Sequence, residues 1–248
     1  YCQFLRGGIT NFNRSYPNTD GAAIQLGAFD TVGSCFFGNL PRGVEVEGAA
    51  GNGYQVRQTI TRCVFSNVFE YGIFNISAAK GDGLTITDNY FMQMGDPPPA
   101  WTPIAIYATA GRGLLVQGNT FLGYAQAVNV SAGTAGMGGV QIRGNHFRTN
   151  GFGIFMSQAS GSITGVVINA NLFENATNGI IADGDSISIT GNTMIDSGDG
   201  SSSIAAIALK KNGSSGSGSM KVSDNLIVDS RGSSAMWYGV QVFAGVSN

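Results

Sequence analysis

A six-residue pattern of apolar and polar positions recurs along the chain. It reads I-T-D-N-Y-F at 86–91, V-Q-G-N-T-F at 116–121, I-R-G-N-H-F at 142–147 and I-N-A-N-L-F at 168–173. It continues as I-T-G-N-T-M at 189–194 and V-S-D-N-L-I at 222–227, so the polar centre is Asn89, Asn119, Asn145, Asn171, Asn192 and Asn225. V-G-S-C-F-F, I-T-R-C-V-F and C-Q-F place Cys35, Cys63 and Cys2 in the same slot. Nine rungs result, spaced by 21 to 33 residues. A short apolar alternation, often led by Gly or Ala, follows each rung. Examples are A-I-Q-L at 23–26, G-V-E-V at 43–46, P-I-A-I at 103–106 and G-V-Q-V at 239–242. Alternation with period two predicts strands, and the Gly, Ser, Asn and Thr between them predict turns. No amphipathic helix of useful length is legible.

Repeats of this length built from strands and turns mean a solenoid or a propeller. A propeller blade takes about 40 residues and four strands, more than these rungs supply. The parity of I-x-x-N-x-F favours a coil. Ile and Phe point inward, and the two residues before Asn make a tight bend. The Asn side chain then caps backbone groups and bonds to its equivalents above and below. Phe37, Phe65, Phe91, Phe121, Phe147 and Phe173 would form one internal aromatic stack. Phe4 would join it at the first rung, with Met194 and Ile227 continuing it.

These features resemble the right-handed parallel β-helix of the pectin-lyase-like superfamily, over essentially the whole chain. The resemblance implies an all-β fold: one right-handed parallel β-helix of about nine coils, with an Asn/Cys ladder and an internal Phe stack. In family terms the I-x-I segment is the second strand of a coil and the Phe segment the third. The G-I-x-I segment is the first strand of the next coil. Among such proteins the chain looks most like a phage tailspike domain. The ladder and stack specify the fold and no activity. The chain begins inside a rung and stops just after the strand at 239–243, with no polar cap. Residues 1–248 are therefore expected to be one domain, a segment of a longer chain or one whose ends partners cover.

Composition narrows the function classes. Only 11% of the 248 residues are charged and 38 are Gly, against roughly 25% charged in an average domain. That excludes a coiled coil or a charged helical bundle. A net charge of -2 offers no nucleic-acid surface. No apolar run approaches the roughly 20 residues that span a bilayer, so membrane insertion is not expected. Three cysteines exclude a dense disulfide framework, and reduced thiols in the ladder are expected. His146 is the one histidine, which rules out multi-histidine metal sites. No metal and no cofactor is expected, and Asp183 and Asp185 read as a turn.

Candidate chemistry gathers on the first strands and their loops. The outward positions there are Gln25, Glu45, Phe74, Ala105, Asn129, Phe155, Ile181, Ala208 and Gln241. The resemblance to polysaccharide lyases implies several calcium-binding carboxylates and a basic residue on this face. One acid and no base depart from that pattern. Phe74, Phe155 and Ile181 make an apolar column that would join copies side by side as a homo-trimer, unless a loop folds over it. Glu45, Glu47 and Glu70 are the candidate catalytic acids, because glycosidic hydrolysis needs two carboxyls on one or two neighbouring rungs. Asp20 precedes the strand of the coil before and is a candidate contact. Long insertions project from one corner, and Trp101 and Trp237 at their ends would stack on sugar rings, or else pack their own loops. The plainer reading of these acids is solvated surface charge. The function expected is recognition of a polysaccharide by an extracellular or virion-surface β-helix, with hydrolysis as a further expectation. The alternatives are a non-catalytic adhesin or structural shaft, and a secreted polysaccharide lyase or epimerase.

Overall fold

The structure is a computed structural model that describes residues 2–5, 22–26, 31–46, 57–75, 82–95, 101–134, 136–158, 160–198, 205–210, 219–232 and 238–243. Twenty-eight strands and no α-helix occur among these residues. They form three sheets of nine, nine and ten strands. Every pairing is parallel, and each strand pairs with its equivalent one coil away. Parallel strands need a crossover connection. Here the rest of each coil supplies it, so the chain winds through first, second and third sheet and then climbs one step, about 4.8 Å.

The bend between second and third sheet is made by one residue. The position before each ladder residue has left-handed backbone: Ser34 (φ 55°), Arg62 (55°), Asp88 (57°), Gly118 (66°), Gly144 (62°), Ala170 (54°), Gly191 (64°) and Asp224 (58°). Gly takes this conformation without strain, and Asp with little. The second-sheet strand Thr85–Thr87 thus runs almost directly into the third-sheet strand Tyr90–Met92.

Inside that bend the Asn ladder closes. The Nδ2 of Asn119 donates to Oδ1 of Asn145 at 3.1 Å, and its backbone N–H donates to the same oxygen at 2.9 Å. The step repeats from Asn89 to Asn119, Asn145 to Asn171, Asn171 to Asn192 and Asn192 to Asn225, all at 2.9–3.0 Å. Each Nδ2 also serves a backbone carbonyl one coil below, as Asn145 does Val116 at 3.0 Å. Two otherwise orphaned backbone groups per bend are satisfied this way. Cys63 donates its backbone N–H to Asn89 Oδ1 at 2.9 Å, and Cys35 and Cys63 are both buried. The third-sheet register places Cys2 on Cys35.

The six phenylalanines from Phe37 to Phe173 are fully buried and stack with centroids 4.6–4.9 Å apart. Their rings explain why Gly or Ala leads each first strand. A Cβ on Gly153 would lie 2.6 Å from a ring carbon of Phe173 and 2.7 Å from the carbonyl of Gly179. Gly43 and Gly72 meet Phe65 and Phe91 in the same way. The bulky ladder thus demands a small partner across the coil.

Candidate functional site

The small residue also shapes the outside of the first sheet. It lies between two outward positions, so each first strand presents a residue before the Gly or Ala and another three places later. The two pair across the gap on four of the nine rungs. Arg42 pairs with Glu45, Tyr71 stacks on Phe74, Gln126 bonds to Asn129, and Phe152 meets Phe155 edge-on. The register aligns Arg42 with Tyr71 and Glu45 with Phe74, which makes two columns side by side. Only the second column was expected from the sequence. The first, Arg42, Tyr71, Gln126 and Phe152, had a signal: each stands immediately before the Gly or Ala.

One rung is shifted from its expected place. The strand Ile104–Ala108 sets Ile106 on Ile73 and Tyr107 on Phe74. Ala105 is therefore fully buried at the small-residue position, and Tyr107 is the outward residue. The leading motif is A-I-Y-A, which obeys the Gly/Ala rule that P-I-A-I broke. The shifted register extends the aromatic group. Tyr107 stacks at 5.2 Å on Tyr71 and at 5.5 Å on Phe74, and Tyr71 lies 4.4 Å from Phe74.

Below these rings sits the charged cluster. Arg42 grips Glu70 with two bonds, Nε to Oε2 at 2.8 Å and a terminal nitrogen to Oε1 at 3.0 Å. Its other terminal nitrogen lies 3.5 Å from Glu45 Oε2. The same guanidinium lies 4.9 Å from the Phe74 ring centre and 5.4 Å from that of Tyr71. Burial opposes the charge on Arg42, yet the bonds and the charges of Glu70 and Glu45 outweigh it and raise its pKa. Glu45 is 2% exposed. The structure thus brings two of the expected acids, Glu45 and Glu70, onto one cation, and the cation was not anticipated. Glu47, Asp20 and Trp237 lie outside the described residues.

Trp101 is half-buried just before the strand Ile104–Ala108, on the wall of an open cavity of about 420 Å³. Gln93, Met94, Pro103, Tyr124 and Thr149 also line it. Tyr124 is fully buried, and burial pushes its hydroxyl well above the usual tyrosine range while the Val68 backbone offsets part of the rise.

The apolar column is less open than expected. Phe74 and Ile181 are 8% and 6% exposed in a single chain, so a neighbour would meet chiefly Phe155 and Tyr107. More accessible apolar residues face outward on the third sheet, including Tyr90, Leu122, Leu172 and Leu226. On that face His146 Nε2 lies 2.6 Å from Glu174 Oε2, a partner the sequence reading did not find. Buried Asp183 accepts the backbone N–H of Gln158 at 3.2 Å. Among the described residues no group of three or more His, Cys, Asp or Glu converges to hold a metal ion.

The comparisons with known proteins agree with this architecture. Residues 13–194 match the family described as right handed beta helix region. The chain belongs to that family, a class defined by the coil and not by one reaction. Searches of curated proteins and of solved structures each found no match.

Proposed function

We propose that the protein recognises a polysaccharide, with the outer face of the first sheet as the contact surface. The observation that carries this reading is the aromatic group Tyr71, Phe74 and Tyr107 beside the fixed charges of Arg42, Glu45 and Glu70. Aromatic faces stack on the apolar faces of sugar rings, while immobilised charged groups take hydroxyls. Two rungs farther on, Phe152 and Phe155 repeat the aromatic pair beyond the amides Gln126 and Asn129. With about 4.8 Å between rungs, a glycan lying along the coil would meet aromatic, amide and aromatic surfaces in turn. Trp101 borders the same strands from the corner cavity. Such a protein belongs on a virion or cell surface, as the likeness to tailspikes implies.

Hydrolysis is the finer form of this proposal, and Glu45, Glu47 and Glu70 remain its candidate acids. One carboxyl must hand a proton to the leaving oxygen. Both oxygens of Glu70 are engaged by Arg42, which leaves neither free for that transfer. This observation favours a second reading, a binding module or shaft without cleavage. Binding and release of reducing ends, measured over a panel of surface polysaccharides, separate the two. Cleavage that Glu45→Gln, Glu47→Gln or Glu70→Gln abolishes supports the enzyme. Binding without cleavage supports the module, and no binding at all leaves the shaft.

A further inference from the structure

A second charged feature lies where the chain turns from the first sheet into the second. Arg57, Gly83 and Gly113 each stand two residues before a second-sheet strand, those beginning at Thr59, Thr85 and Leu115. The register of these strands stacks the three positions on successive coils. Gly83 and Gly113 have φ of 86° and 71°, where a side chain would be strained. Neither glycine covers Arg57, and a trough of about 320 Å³ remains, lined by Arg57, Asp82, Gly83, Arg112 and Gly113.

The charges in this trough do not cancel. Asp82 is the one acid among the described residues that line it, and Asp82 Oδ1 already accepts the backbone N–H of Arg112 at 2.9 Å. The ion pairs among the described residues are those of Arg42, His146 and Arg231, so neither Arg57 nor Arg112 is in one. Two exposed guanidiniums therefore flank one carboxylate that is tied to the turn. Arg57 and Arg112 come from coils two steps apart, about 10 Å along the axis. Arginine side chains from both ends can close on one anion above Gly83. The chain's net charge is -2, so no general positive field draws anions here, and any attraction is local.

We propose that this trough binds an oxyanion carried by the glycan, a uronate carboxylate or a sulfate ester. The planar fork of Arg fits either group with paired hydrogen bonds. The inference rests on the glycan reading above and adds a charge requirement at a separate corner of the coil.

Three oligosaccharides of equal length test it by calorimetric titration: one of uronate units, its carboxyl-reduced neutral counterpart, and a sulfated form of the neutral one. The parent should prefer an anionic ligand by about tenfold, and the preferred ligand identifies carboxylate or sulfate. In the Arg57→Gln/Arg112→Gln double variant the preference should vanish, while affinity for the neutral ligand and the denaturant midpoint stay unchanged. Equal affinity of the parent for all three ligands, or a double variant that keeps the preference, overturns the inference and leaves the glycan reading standing. A parent that binds no oligosaccharide sinks the glycan reading instead, and inorganic sulfate then decides the trough. Saturable sulfate binding lost in the double variant supports an anion site. Absence of saturable sulfate binding refutes it.

Discussion

The interior of the coil and the outer face of its first sheet share one backbone, yet they obey different rules. Inside, one solution repeats on rung after rung: Asn on Asn in the bend, Phe on Phe in the stack, Gly or Ala beneath the ring. Outside, neighbouring rungs carry a guanidinium with a carboxylate, then two aromatic rings, then a lone tyrosine, then two amides, then two aromatic rings again. Identical neighbours suit the inside because each Asn satisfies the next and each ring fills the space over the last. The outside has no such internal demand. Its variety follows no packing period, which is what a surface facing a heterogeneous ligand requires. The small residue links the two regions, since it makes room for the Phe ring and brings its outward neighbours together.

Substitutions at the two regions should separate stability from binding. The largest loss is expected inside. Phe147→Ala removes a fully buried ring held between Phe121 and Phe173, and should cost about 3–5 kcal/mol in denaturant unfolding. An unchanged midpoint would mean that the stack does not hold the coil. Arg42→Gln tests whether the charged cluster also carries load, because it removes the cation from Glu45 and Glu70. A buried pair broken from one side should cost about 3 kcal/mol. A loss of a few tenths would assign the cluster to ligand contact alone.

Smaller effects sharpen the link between the regions. Gly153→Ala places a methyl against Phe173 and the Gly179 carbonyl, and should cost about 1–3 kcal/mol. The same substitution should disturb Phe152 and Phe155, seen as changed aromatic fluorescence or ring NMR shifts. Asn145→Ala leaves the backbone amide of Asn119 and the carbonyl of Val116 without their partner, at about 1–3 kcal/mol. Chemical shifts on the outer face should hardly move in that variant.

The interior was legible in the sequence because its physics is periodic. A six-residue pattern with Asn at the bend and Phe two places later states both parity and register, and the residues around Cys35 and Cys63 place them in the same slot. The outer face was legible only in part. Glu45 and Glu70 were found as acids on neighbouring rungs, but Arg42, which joins them, stands before the Gly and outside the expected alternation. Tyr107 was missed because an extra apolar residue, Ile104, shifted the apparent motif by two places, and Ala105 took its slot. In each case the small residue that receives the Phe ring was the better reference point. Apolar alternation reports which side chains point inward. It cannot report how far a bend over that ring draws two outward residues together.

The central claim is that the outer face of the first sheet binds glycan through its aromatic residues, which the interior does not need for its packing. Tyr107→Ala tests it most directly, with binding to one immobilised surface polysaccharide and the denaturant midpoint measured on the same preparation. Loss of ring stacking should lower stability by about 1 kcal/mol. Binding is expected to fall about tenfold, roughly 1.4 kcal/mol, with that small change in midpoint. Undiminished binding by Tyr107→Ala, from a parent that binds, would contradict it and move the contact surface elsewhere on the coil.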